Sequence, residues 1–341
     1  MINVRYLLLA GTVAFASPAL AQQTMYVAGP GGSTQKLLQS QIFPAFEAKH
    51  NVKITYVAGI SSEIVAKLQA QAGKQEINVA IVDDGPLYQA IQFGYCGKLT
   101  DAPIYNDIYP FAQFGGSGIG LGLVATGIAY NTASYKKKGW PAPTSWNDLT
   151  DKKLEGRVTA SSLSGTYGVH TLAMFSRING GSETNVDPGF EAIRKGLAPN
   201  VLSWSSSPAK LAEMFQNNDV DIAVWGTSRT IAMKNTGFPI EFVYPKEGTP
   251  ALVLGACPVA QNSQPAASQA LLQYLVTPEV QEKLATEGLG PTNRQTKLDA
   301  KLAEQVPYGE DRIGKMITIN WNEINPKRSE WTNRWNRTIE R

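Results

Sequence analysis

Apolar and polar positions along the chain follow two periods in turn. Short apolar runs of strand length occupy residues 24–28, 52–58, 77–82, 157–160 and 222–224. Each is followed by a turn of Gly, Ser, Thr or Asp, and then by apolar residues at helical spacing. After residues 24–28 these are Leu37, Leu38, Ile42, Phe43 and Phe46. After residues 52–58 they are Ile64, Val65, Leu68 and Ala72, behind Ser61 and Ser62 in a capping position. After residues 77–82 they are Leu87, Ala90 and Ile91. Strands alternating with helices in this way predict an α/β fold with mainly parallel sheets flanked by helices.

Two longer strand-like segments interrupt the alternation, at residues 114–129 and 251–259. They flank a middle block, as two crossovers between lobes would. The expected organisation is a first lobe over residues 24–123, a second lobe over residues 126–253, and a return to the first lobe over residues 254–341. Residues 238–244 read as a further strand, and residues 267–288 as a helix pair with Pro278 at a helix start. Trp331 and Trp335 are four apart and share a helical face, so they are read as docking the final helix.

Residues 1–21 differ from the rest. Arg5 precedes an apolar run from Tyr6 to Phe15, and Ser17, Pro18, Ala19, Leu20 and Ala21 supply the small residues of a cleavage site. This predicts a secretory signal peptide cut after Ala21, and an exported mature chain. Cys96 and Cys257 are the two cysteines. An oxidising compartment favours a disulfide between them, the alternative being two buried thiols. The 341 residues are 43% hydrophobic and 17% charged with a net charge of +3, ordinary for a globular protein and too weakly basic for a nucleic-acid partner.

Candidate chemistry gathers where predicted strands open into helices, the edge at which open α/β sheets bind ligands. Gly32 and Ser33 begin the first helix. Asp83 and Asp84 follow the third strand; one of them is equally placed to cap the next helix. Ser164, Gly165, Thr166 and Tyr167 form a hydroxyl-rich helix start suited to a carboxylate, phosphonate or phosphate, with ordinary capping as the alternative. Trp204 lies beside a further cap. Trp225 and Arg229 bracket the exit of residues 222–224, and offer a flat apolar face and a charged fork, or else a buried Trp and a solvated Arg. There is no G-x-S-x-G and no H-E-x-x-H, and His50 and His170 are poorly placed for metal or catalysis, so no enzyme, metal site or cofactor is expected.

The arrangement resembles the extracellular solute-binding proteins of bacterial ABC importers, in the group containing spermidine/putrescine-, 2-aminoethylphosphonate- and ferric-iron-binding members. The residues that carry the resemblance are Asp83-Asp84-Gly85-Pro86, Ser164-Gly165-Thr166-Tyr167 and Tyr244-Pro245-Lys246-Glu247-Gly248-Thr249-Pro250. Tyr274-Leu275, Pro278-Glu279-Val280-Gln281 and Gly290-Pro291-Thr292 extend it. The resemblance implies a type II-like periplasmic binding protein, two lobes on a two-strand hinge, with a small-molecule ligand in the cleft. It also implies a monomer in the periplasm and an inner-membrane permease as partner. Iron-binding members use adjacent tyrosines, absent here, and polyamine binders need several carboxylates. The reading that results is a zwitterion resembling 4-aminobutyrate. Arg229 would hold its acidic end, Asp83 or Asp84 its ammonium, and Trp204 or Trp225 its methylenes. A polyamine and 2-aminoethylphosphonate are the alternatives.

Overall fold

The computed structural model describes residues 22–340, so the signal peptide read at residues 1–21 lies outside the described residues. β1 (Gln23–Gly29) pairs in parallel with β2 (Val52–Ala58) and β3 (Val79–Asp83). Met25 and Val27 of β1 are fully covered, because their face meets the helices that follow. Ile42, Phe46 and Leu68 from those helices are covered in turn. Area burial of this kind is the main favourable term in the first lobe.

Among the described residues, nine strands form one sheet. Their order is Val52–Ala58, Gln23–Gly29, Val79–Asp83, Ala251–Pro258, Ile119–Asn131, Ile222–Gly226, Val158–Ala160 and Val201–Trp204, with Ile240–Val243 paired to Ile119–Asn131. β9 (Ala251–Pro258) runs antiparallel to β3, and β4 (Ile119–Asn131) runs antiparallel to β9. The 13-residue β4 changes partner midway. It pairs with β9 as far as Ala125, and with β7 (Ile222–Gly226) from Thr126 onward. β8 (Ile240–Val243) covers its far end. β5 (Val158–Ala160) then pairs in parallel with β7 and with β6 (Val201–Trp204). Each lobe thus keeps the parallel set of strands that the alternation predicts, and the antiparallel pairs all involve the crossing strands β4 and β9.

The apolar interior divides accordingly. One core belongs to the first lobe, and two more fill the opposite faces of the second lobe's sheet. The end of the chain corrects the expected boundaries. Residues 254–313 stay with the first lobe, but Ile319, Trp321, Ile324, Trp331, Trp335 and Ile339 are buried in a second-lobe core. The cause is aromatic area: Trp335 packs edge-on to Trp204 at 5.0 Å and to Phe190 at 6.1 Å.

Cys96 and Cys257 form a disulfide, Cα atoms 5.6 Å apart, across 161 residues of sequence. It ties the segment after the helix Asp84–Gln92 to β9. Closing so long a loop restricts the unfolded chain, and reduction is expected to cost about 2–4 kcal/mol of stability. Thermal melts with and without reductant check this; coincident midpoints would show that the bridge contributes nothing.

Candidate functional site

A cavity of about 410 Å³ opens between the lobes. The first lobe lines it with the turn after β1, with Ser61, Ser62 and Glu63, and with Asp83 at the end of β3. The second lobe contributes Ser161, the stretch Ser164, Gly165, Thr166 and Tyr167, the pair Ser206 and Ser207, and Ser228 with Arg229. Val124 of β4 and Leu252 and Leu254 of β9 form an apolar floor.

The backbone explains the placement. Gly32 turns the chain at φ +79°, a conformation that favours glycine, and delivers the Gly31 carbonyl to the cleft. Arg229 leaves the first turn of the helix Thr227–Lys234 and donates from Nη1 to that carbonyl at 3.2 Å. Asp83 precedes the helix Asp84–Gln92 without capping it through its side chain. Its backbone N–H donates to Ser61 Oγ at 3.0 Å, and its Oδ2 accepts from Thr166 Oγ1 at 2.5 Å. Two hydrogen bonds therefore cross the cleft, one from Arg229 and one to Asp83. Behind them the Ser162, Ser164 and Ser206 hydroxyls form a closed ring of contacts at 2.7–3.0 Å.

Burial pushes the Asp83 carboxyl up, while Thr166 and the Arg229 charge oppose that shift. Burial likewise pushes Tyr167 up to about 12 and lowers Arg328. Arg328 also lines the cavity, and its Nη2 donates to the Ser164 carbonyl at 2.7 Å. The lining thus carries two guanidiniums against the carboxyls of Asp83 and Glu63.

Of the residues read from the sequence, Gly32, Asp83, Ser164, Gly165, Thr166, Tyr167 and Arg229 border this cavity. Ser33 starts its helix as expected, but Thr34 is the residue that reaches the lining. Asp84 turns away and is buried beside Trp321, its Oδ1 accepting from the Gly85 N–H at 3.0 Å. Trp204 packs on Trp335 behind the sheet. Trp225 is 2% exposed and stacks on Phe215, ring centres 5.9 Å apart. Strand parity decides this: Ala223 and Trp225 face one core of the second lobe while Ile222 and Val224 face the other. Neither tryptophan borders the cavity: Trp225 is a core residue, and Trp204 is partly buried against a core of the second lobe.

Arg328 is not legible as a site residue, because its helix announces itself only through its tryptophans. One signal is available. Arg328 opens the helix Arg328–Thr338, where the helix dipole disfavours a cation. His170 is buried, its Nδ1 2.8 Å from Thr126 Oγ1, and burial lowers its pKa to about 3, so it stays neutral behind β4.

Asp84 carries a pH prediction. Burial, helped by the Asp83 charge, pushes its carboxyl up to about 7. A carboxyl raised in the folded state binds more protons folded than unfolded. Its contribution is therefore complete below about pH 4 and fades as pH rises toward 7. Asp84→Asn is expected to flatten that decline by about 3 kcal/mol between pH 4 and pH 7. Parallel denaturation curves for the two proteins across this range would contradict it.

Residues 41–307 match the family of bacterial extracellular solute-binding proteins. In sequence the chain is similar to spermidine/putrescine-binding periplasmic protein 1 of Haemophilus influenzae, 30% identical over 193 residues, covering 55% of this chain and 50% of that protein. It is also similar to an uncharacterized protein of the same organism, 27% identical over 226 residues, covering 64% of this chain and 63% of that protein. The alignments thus span between half and just under two thirds of these relatives' own length. In three dimensions it is similar to the periplasmic binding protein AfuA from Actinobacillus pleuropneumoniae, solved with fructose-6-phosphate bound. The TM-score is 0.79 at 20% identity, covering 94% of this chain and 99% of that one. This likeness carries the two-lobed fold.

Proposed function

We propose, for a chain that belongs to the family of bacterial extracellular solute-binding proteins, that it captures a small zwitterion between its lobes and hands it to the permease of an ABC importer. The observation that carries this reading is the pair of bonds across one cavity, Arg229 to the Gly31 carbonyl and Thr166 to Asp83. A guanidinium and a carboxyl on opposite sides of a closed cleft match an anionic head and an ammonium tail. The solute class that carries both groups is an ω-amino acid such as 4-aminobutyrate, or an aminophosphonate. Ligand contacts with both lobes favour the closed form, which would dock on the membrane partner. The exported chain would act in the periplasm and release its ligand chemically unchanged. Among the described residues no helix is long and apolar enough to cross a membrane.

The name of the Haemophilus influenzae relative favours a second reading, a polyamine. Two guanidiniums in the lining oppose it, because like charges in a cleft of low polarity repel. Calorimetry of the mature chain with 4-aminobutyrate, 2-aminoethylphosphonate and putrescine separates the two. Heat from a zwitterion and none from putrescine is the expected result. Tight putrescine binding with no response to either zwitterion would sink the first reading.

A further inference from the structure

Arg328 brings a half-buried positive charge to the cleft wall. Among the described residues, the Asp83 and Asp84 charges act on it without an ion-pair contact, and its hydrogen bond goes to a neutral group.

Three observations give Arg328 a role. It borders the same cavity as Arg229 and Asp83. Its guanidinium donates to the Ser164 carbonyl, beside the ring of serine hydroxyls. Its segment is also held by both lobes. The Trp321 ring is buried in the second lobe's core, yet it lies so close to Gly85 of the first lobe that an added Cβ there would meet it at 2.6 Å. Asn325 Nδ2 donates to the Gly85 carbonyl at 3.0 Å. Withdrawing a charge from water without a contacting counter-charge is costly, and an anionic ligand would offset that cost.

We propose that Arg328 is a second ligand-recognising cation, carried into the cleft on this C-terminal strap, and that with Arg229 it clamps an oxyanion head bearing two negative charges. The proposal rests on the reading that the cleft takes an anionic solute. A planar fork suits a phosphonate or phosphate, whose several oxygens can engage both guanidiniums, better than a carboxylate.

The test is calorimetry of the mature chain with β-alanine and 2-aminoethylphosphonate, which differ in the charge of the head. The phosphonate is expected to bind about 10-fold tighter or more. Arg328→Gln is expected to weaken phosphonate binding by about 30-fold and β-alanine binding by less than about 5-fold, which erases the preference. Arg328→Lys keeps the charge and is expected to retain part of the preference. A wild-type chain that binds both heads equally overturns the proposal, as does a folded Arg328→Gln that keeps the preference. Equal losses for both heads in Arg328→Lys would mark the residue as structural and also overturn it. A chain that binds putrescine and neither of these compounds fails differently, since it removes the anionic reading itself.

Discussion

Arg229→Ala is expected to raise the dissociation constant of the best zwitterionic ligand about 100-fold or more, near 3 kcal/mol at about 1.4 kcal/mol per decade. The side chain leaves the first helical turn after β7 and spans the cleft to the Gly31 carbonyl. Removing it takes away a charge-assisted contact from the second lobe and leaves Arg328 as the remaining guanidinium of the lining. The unliganded fold should lose only about 1.5–3 kcal/mol, the range for a hydrogen bond with one charged partner, here from Arg229 to the Gly31 carbonyl. Calorimetry of the variant beside its ligand-free melting curve checks both halves. An unchanged dissociation constant in a folded variant would remove Arg229 from the site.

Trp335→Ala should lower stability by about 3–5 kcal/mol. The ring is fully buried, meets Trp204 and Phe190 edge-on, and donates from Nε1 to Glu340 Oε1 at 2.7 Å. Truncation leaves a void under the final helix that rigid neighbours cannot refill. The same helix begins with Arg328, so ligand affinity should fall together with the melting point. Denaturant unfolding measures the first effect. A loss below about 1 kcal/mol would show that the helix end is loosely held.

Much of the architecture is legible because burial writes a period into the chain. β2 has the predicted bounds, residues 52–58, and the helix Pro278–Ala285 begins at the predicted proline, while its partner Pro265–Leu275 starts two residues before the expected residue 267. β6 is not legible: Val201–Trp204 is a short strand at the end of the sheet order, partly exposed, without a strong apolar run. The direction of Trp225 is hidden for the opposite reason. Every residue of β7 is buried, so both faces are apolar and the sequence carries no sign of which face meets the cleft. The tryptophans at 331 and 335 announce a docked helix, but spacing along one helix says nothing about which lobe receives it. Arg229 and Asp83 are legible because each lies at the end of a strand, where the fold class itself puts ligands.

The described residues begin in one lobe and end in the other, since β1 belongs to the first lobe and Trp335 to the second. A pair of fluorophores fixed near Gln22 and Glu340 would therefore report the opening angle by energy transfer. Such a sensor needs no insertion into either sheet.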